Sequence, residues 1–582
     1  MRNLYLIASL LAFPLMAEAQ SAIDAYRFSQ PDMKGTARFM GMGGAFGALG
    51  GDLSSISTNP AGLGVYRRGE VGITMDFDIQ SAASLTQGYK TTQNQTKYPL
   101  SNVGGVVSFN LYNQVMPNFN MAFTYNRAAT FNAHYSGTVP KLYNSLTNYI
   151  AGATNSEGAT VADLTSTDTF DAYNPNDGGY AAPWLSILGY DSYFITPTGD
   201  NDQPDWIGQW NSQTSGSGVY DVVTTGAVNE YNIAFAGNFY NKLFWGLDFG
   251  IMDLDYNMTS IWGESLQNAS VDNTVGTPNT SAEWMMSNYY SANGTGFNVK
   301  LGLIYRPIQE LRLGLSFATP TWYSINESYL ARTRYNYPDV DLRDADGNPV
   351  PDNAVTNGGY WGTNSYNFRT PWKLTVSAAG VIGSKLILSA DFEWQKYNKM
   401  RFYDGGGNYY DYGYDDDYYP DWGWGDPWYA PAATRTSQQK ASPAIYNSDP
   451  WYATNRDIED YYKSTTTIRV GAEYRVTPRF SVRAGYAHVS SPTKKEAKDG
   501  SMMIYTSGTM TNYRMDNDTD YITCGLGYNF NNFYIDAAYV YKRLGSEYHA
   551  YTPDPLNPQI PSPTSKLTLT NNQIVVSAGF RF

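Results

Sequence analysis

Apolar and polar residues alternate with a period of two in many separate windows of this chain. From Glu70 to Ile79, Val71, Ile73, Met75, Phe77 and Ile79 share one face, and Glu70, Gly72, Thr74, Asp76 and Asp78 share the other. A helix would spread those apolar positions around its surface, so the window predicts a strand with one apolar face. The pattern recurs at 118–126, with Phe119, Met121, Phe123 and Tyr125 set against Asn118, Asn120, Thr124 and Asn126. It recurs again at 297–305 and 311–317, where the polar partners include Lys300 and Arg312. Fourteen strands are predicted in this way, near 69–79, 103–111, 118–136, 229–240, 243–254, 297–306, 311–323, 372–382, 385–397, 467–476, 479–490, 521–530, 533–544 and 573–582. The 118–136 window is the one that could be two strands.

The connections alternate strictly in length. Short links follow the even-numbered strands, several with turn residues: Asn241-Lys242, Pro307 to Glu310, Gly383-Ser384, Thr477-Pro478 and Asn531-Asn532. Long loops follow the odd-numbered ones. Polar partners such as Lys300, Arg312, Lys373, Arg469, Glu473 and Arg483 suit a wet lumen, and the apolar partners suit lipid. The expectation is all-β: a transmembrane antiparallel β-barrel of about 14 strands, with short periplasmic turns and long outside loops. The last strand alternates Ile574, Val576, Ala578, Phe580 and Phe582 to the final residue. Left as an open edge it would invite aggregation, and closure removes it.

Composition agrees. Mean hydropathy is -0.43, yet Gly 54, Tyr 51, Trp 14 and 16% charged residues suit a strand wall with aromatic girdles. The net charge of -14 argues against a nucleic-acid surface, which needs clustered Lys and Arg. The single Cys524 excludes a disulfide framework and a multi-cysteine metal site. At the start, Arg2, an apolar run from Leu4 to Met16 and Ala17-Glu18-Ala19 read as a signal peptide over 1–19. That run is too short to span a membrane as a helix.

Residues 20–68 do not alternate. They carry Ala37-Arg38-Phe39-Met40-Gly41-Met42-Gly43-Gly44-Ala45-Phe46, then Asp52, then Asn59-Pro60-Ala61-Gly62-Leu63. This ordered set, followed at once by a barrel, resembles the FadL/TodX family of outer-membrane long-chain fatty-acid and hydrocarbon channels. The resemblance implies a short N-terminal hatch over 20–68 inside a barrel over 69–582. It implies hatch or transport roles for Gly41, Gly43, Gly44, Asp52, Asn59, Pro60, Ala61 and Gly62. It also implies uptake of a hydrophobic small molecule, with sideways exit sought near the uncertain third strand. The C-terminal aromatics Phe580 and Phe582 resemble the signal read by the barrel-assembly machinery. The expected setting is the outer membrane of a Gram-negative bacterium, as a monomer among outer-membrane lipid and lipopolysaccharide, with no cofactor, no nucleic acid and no enzymatic activity. FadL-like barrels that shuttle cargo in type IX secretion, or that receive haemin, are the alternatives the resemblance leaves open.

Physically, Gly41, Gly43, Gly44, Gly47, Gly50 and Gly51 permit close packing and positive φ, and Pro60 restricts Asn59 to extended conformations. A nucleotide loop is excluded because Phe46 stands where a third glycine belongs. His134, His488 and His549 are too scattered to spell a metal or haem site. Asp253, Asp255, Asn257 and Glu264 fit a calcium-loop template except that Met258 holds the glycine position, and 344–348 reads as a turn that could also bind calcium. The stretch 403–429, dense in Tyr, Trp, Gly and Asp, is either a solvated loop or an aromatic binding surface.

Overall fold

A computed structural model describes residues 21–582 except 168–169, 176–180, 272–278, 344–348, 384, 404–449, 499–501, 507 and 556. The expected signal peptide, the 344–348 turn, Ser384 and all of the 403–429 stretch after Tyr403 lie outside the described residues.

The first part of the wall is β1 (Glu70–Thr86), β2 (Tyr89–Lys97), β3 (Leu100–Asn110), β4 (Asn118–Thr130) and β5 (Ala133–Val139). A separate hairpin, β6 (Ile195–Asp200) and β7 (Gln203–Gly208), precedes β8 (Ser215–Phe239), β9 (Leu243–Ala269) and β10 (Thr280–Tyr305). Then come β11 (Leu311–Ala318), β12 (Trp322–Asn336), β13 (Asn353–Val355), β14 (Gly362–Arg369), β15 (Lys373–Ile382), β16 (Leu386–Lys396) and β17 (Arg401–Tyr403). The chain ends with β18 (Ser464–Arg475), β19 (Phe480–Val489), β20 (Tyr513–Phe530), β21 (Phe533–His549) and β22 (Thr564–Arg581).

The ring runs β1, β3, β4, β8, β9, β10, β11, β15, β16, β18, β19, β20, β21, β22, a closed antiparallel barrel of 14 strands. It closes where β22 pairs with β1, from Glu70↔Arg581 to Leu85↔Lys566. Each of the fourteen expected strands occupies one ring position. Two of them are interrupted. The 118–136 window divides into β4 and β5, with a register shift between Arg127 and Ala129. The 311–323 window, expected as one strand, breaks between Ala318 and Trp322 around Pro320, which has no N–H to give a ladder.

The strands also run further than the alternation suggests: β8, β9 and β10 hold 25, 27 and 26 residues. Beyond the apolar band the outer face turns polar, as at Asp253, Asp255 and Asn257, so the apolar signal stops while the ladder continues. The long loop expected around 140–225 is instead a folded cap. Helices α4 (Leu146–Glu157), α5 (Val161–Leu164) and α6 (Trp184–Asp191) pack with the β6–β7 hairpin into a large apolar cluster at the long-loop end.

Outer and inner faces are reversed relative to a soluble protein. On β1, Val71, Ile73, Met75, Phe77 and Ile79 are exposed, whereas Thr74, Asp76 and Asp78 are buried inward. Leu301, Leu315, Val376, Ile468, Ile522 and Ile574 continue this exposed band around the ring. A continuous apolar belt around a polar interior is the surface of a barrel embedded in lipid.

Candidate functional site

The segment before β1 crosses the lumen as α1 (Ala22–Ser29), α2 (Ala37–Gly41), α3 (Ser55–Thr58) and a 3-10 turn at Pro60–Val65. Its backbone lies against inward-facing wall glycines. A Cβ on Gly41 would stand 3.2 Å from Gly525 Cα, and one on Gly43 would stand 2.9 Å from the Tyr486 nitrogen. Cβ atoms on Gly246, Gly302, Gly314, Gly471 and Gly485 would run into Pro60, Asn59, Gly47, Met42 and Gly43. Gly246 pairs with Gly302, and Gly471 with Gly485, so the wall is stripped of side chains where the segment touches it. Gly43 and Gly44 take φ of 62° and 73°, which only glycine adopts without strain. Gly41 contributes close approach alone.

Within the segment, Asn59 is extended at φ -147° and its amide donates to Gly47 O at 2.6 Å and to Leu303 O at 3.3 Å. It also accepts from Ala61 N at 3.0 Å, and Pro60 opens the 3-10 turn. Gly51 N donates to Gly62 O at 3.1 Å, tying the two glycine stretches together. Asp52 accepts from Thr36 Oγ1 at 2.8 Å and Ser54 N at 2.9 Å. Burial pushes its carboxyl up to about 6, although Arg38 pulls it down.

Most of the charges expected in the lumen are paired with carboxylates here, and Arg312 bonds a backbone carbonyl instead. Arg38 Nε meets Glu473 at 2.9 Å, and Glu473 also receives Arg483 at 2.7 Å. Arg312 donates to Leu49 O at 2.6 Å. Lys300 is held by Glu230 and by Asp248, the latter at 3.1 Å. Lys373 and Arg469 lie 3.8 and 3.1 Å from Glu393.

Between α1 and α2 the strap Gln30-Pro31-Asp32-Met33-Lys34 is held mainly by charge. Lys34 Nζ lies 2.9 Å from both Asp76 and Asp78, all three side chains being buried. Burial opposes its ammonium, but Asp76 and Asp78 more than offset this and hold its pKa above the ordinary value. Asp32 accepts from Lys542 at 2.9 Å and Tyr521 at 2.8 Å, and Gln30 donates to Asp516 at 2.8 Å.

Two cavities share this strap. An outer one of about 160 Å³ lies under α1, and an inner one of about 170 Å³ reaches toward Lys300, Glu393 and Arg469. Gln30 and Asp32 line both, so the strap is the partition. Engineered cavities of roughly 150 Å³ hold one benzene, so each is the size of a single ring.

The outer cavity also meets a seam in the wall where two neighbouring strands lie side by side without a ladder. β3 pairs with β1 only from Glu70 to Met75, and above that level β2 pairs with β1 from Asp78 to Thr86. Among the described residues no ladder joins β2 to β5, and Gln93 bridges to Ser136 at 2.8 Å. Gln80 and Gln95 on one lip and Asn132 and His134 on the other line the outer cavity.

Of the residues expected to act, Gly41, Gly43, Gly44, Asp52, Asn59, Pro60, Ala61 and Gly62 are gathered in the lumen. Phe580 and Phe582 stand apart, exposed on the outer face with ring centroids 6.4 Å apart. Asp253, Asp255 and Asn257 point outward from β9 while Glu264 is buried inward, so the calcium template is not assembled: alternate strand residues cannot converge. No group of three or more His, Cys, Asp or Glu among the described residues could hold a metal. His134 pairs with Asp221, His488 with Asp520, and His549 stacks on Tyr513, all apart. Sequence reasoning missed Asp32 and Lys34. The signal was available in Asp76 and Asp78, two inward carboxylates on β1 that need a cation.

Fold and site together define a transmembrane β-barrel with its N-terminal segment packed against the inner wall. Among solved structures the chain is similar to a FadL homologue of Pseudomonas aeruginosa, at 12% identity and TM-score 0.48, covering 95% of this chain and 99% of that one. It is similar also to the toluene transporter TodX of P. putida (11%, TM-score 0.45, 95% and 99%) and to the toluene transporter TbuX of Ralstonia pickettii (12%, 0.43, 95% and 100%). No family model and no curated protein matches the sequence. The barrel is defined by its own strand pairing.

Proposed function

We propose that this protein is an outer-membrane channel for uptake of a small, largely apolar molecule. The molecule enters from the long-loop end into the outer cavity. It leaves sideways through the seam between β2 and β5, or reaches the inner cavity when the strap shifts. The observation that carries this reading is the missing ladder between β2 and β5, a stretch of wall held by side chains directly beside a ring-sized cavity. The third strand is interrupted at the same place, between Thr130 and Ala133. An apolar solute gains by leaving through the wall, since the hydrocarbon outside receives it better than water does.

Asn59, Pro60, Ala61 and Gly62, with Gly41, Gly43 and Gly44, serve in this proposal as the fixed part of the hatch, and the strap as the moving part. Lipid and lipopolysaccharide cover the apolar belt, and the assembly machinery reads Phe580 and Phe582. The test is uptake of labelled toluene and oleate into proteoliposomes. A variant that locks the seam with a disulfide between Gln93→Cys and Ser136→Cys should lose uptake when oxidised and regain it when reduced. Uptake indifferent to that bond would refute exit by the seam.

A further inference from the structure

The accessible charge in the outer cavity is positive. Arg27 of α1, Arg514 of β20 and Lys542 of β21 converge on it from three elements. Each is paired with a carboxylate that lies behind it: the three cationic side chains are 21, 26 and 23% exposed, and those of Asp24, Asp516 and Asp32 only 2, 2 and 6%. None of the three cations lines the inner cavity, so the outer one is the space they face. The pairing also leaves donors over. Arg514 reaches Asp516 through Nε at 2.9 Å and Nη2 at 3.3 Å, and Arg27 reaches Asp24 through Nη1 alone. Nη1 of Arg514 and Nη2 of Arg27 bond nothing among the described residues and remain accessible. A guanidinium with a free N–H edge is suited to receive a carboxylate.

A basic chain would show such a surface by default, but this one carries a net charge of -14. The same order repeats beyond the strap. In the inner cavity Lys373 and Arg469 are 26 and 16% exposed, while Glu393, which both approach, is 4% exposed. The rest of the outer wall sets the size and character of the guest. Its accessible apolar part is Phe131, Ala133, Leu544 and Leu569, all half-buried. The space, about 160 Å³, is that of one ring. Both ways out of it are polar, past Gln80, Gln93 and Gln95 at the seam or past Asp32 at the strap. A long acyl chain therefore has no apolar path in which to lie, whereas a single ring bearing one carboxylate fits between the apolar patch and the cations.

Resting on the channel reading above, we propose that the outer cavity binds a single-ring carboxylate, a molecule of the benzoate class, in preference to a neutral ring or a fatty acid. The ring packs on Phe131, Leu544 and Leu569. The carboxylate meets the free donors of Arg27, Arg514 and Lys542, which offset the cost of taking its charge out of water. Lys373 and Arg469 are the next cations it meets when the strap shifts.

Calorimetry on the purified full-length barrel with 4-methylbenzoate and 4-methylbenzamide isolates the charge, since the two have nearly the same shape. The carboxylate should bind at least about tenfold more tightly, and oleate should not displace it. Arg27→Gln and Arg514→Gln should each weaken 4-methylbenzoate by about tenfold and leave the amide unchanged, and Arg514→Lys should restore part of the loss. The comparison of ligands on the parental protein decides the charge even where a variant fails to assemble. Equal affinity for carboxylate and amide, displacement by oleate, or unchanged 4-methylbenzoate binding in both glutamine variants would overturn the assignment. The channel is scored separately in proteoliposomes. Selective 4-methylbenzoate binding without uptake of it or of toluene supports this site and overturns the channel. Uptake of toluene with equal affinities for carboxylate and amide overturns the site alone.

Discussion

Replacing Lys34 with Met tests the strap most directly. The ammonium lies 2.9 Å from each of Asp76 and Asp78, and all three side chains are buried. Met keeps the length and apolar stem of lysine and removes only the charge. Two wall carboxylates would then lie against the strap with no cation, and removing one partner of a buried pair costs about 3–5 kcal/mol. That cost falls on the closed arrangement alone, because an open strap would let water reach both carboxylates. Taking about 3 kcal/mol, the open population rises on the order of a hundredfold. The remaining ties, Asp32 to Lys542 and Gln30 to Asp516, keep the strap from leaving altogether.

The assay is hydrogen exchange at residues 30–34 together with toluene uptake into proteoliposomes, at equal amounts of heat-modifiable barrel. Exchange there should become far faster in Lys34→Met and stay near the parental rate in Lys34→Arg. Since uncompensated charge is what drives opening, adding Asp76→Asn and Asp78→Asn to Lys34→Met should bring exchange part of the way back. Parental exchange and uptake in Lys34→Met would refute the latch. A triple variant that exchanges as fast as the single one would show that shape, and not charge, had been lost.

Other expectations follow from single residues. Gly246→Val drives a side chain into the Pro60 carbonyl, an overpacking worth about 1–3 kcal/mol, and should lower the midpoint at which the N-terminal segment becomes protease-sensitive without lowering barrel yield. Asp52 has its pKa raised to about 6, so its stabilising effect is full below about pH 4 and is lost as pH rises through 6. Hydrogen exchange in residues 35–66, corrected for intrinsic rate, should be slower at pH 5 than at pH 7.5, and Asp52→Asn should flatten the difference. Deleting Phe582 removes the backbone bonds to Gly69, at 3.0 Å in both directions, and the terminal aromatic. Assembled barrel should fall while secreted precursor does not, as measured by heat-modifiability.

The wall was legible because lipid imposes one rule on every strand. Val71 to Ile79 alternate since one face meets hydrocarbon and the other does not, and no tertiary detail is needed to see it. The same rule hid the extensions of β8, β9 and β10. Asp253, Asp255 and Asn257 face water on the outside, so the apolar mark disappears although hydrogen bonding continues. The folded cap over 140–215 was hidden for another reason: its helices are short, and α5 is a single turn. The pairing of Lys34 with Asp76 and Asp78 depends on where a non-repeating backbone lies in the lumen, which local pattern does not encode. One overlooked mark was readable. Gly246, Gly302, Gly314, Gly471, Gly485 and Gly525 all sit at inward positions of their strands, and interior strand glycines signal close approach of another backbone.

Those glycines also bear on which part of the segment can move. Undocking residues 40–62 would bring Met40, Met42 and Phe46, all buried without measurable exposure, into water at roughly 25 cal/mol per Å² of apolar surface. It would also break the Asn59 amide's bonds to Gly47 O and Leu303 O, with nothing of equal geometry to replace them. The strap differs in kind. Its ties are Lys34, Asp32 and Gln30, whose charged and polar ends regain hydration when they part, so much of the cost of breaking them is returned. It already borders a cavity on each side, and Pro31 limits the conformations it must search. Movement confined to residues 30–34 therefore connects the two cavities at far lower cost than displacement of the whole segment, which places Asn59-Pro60-Ala61 as the anchor against which the proposed gate works.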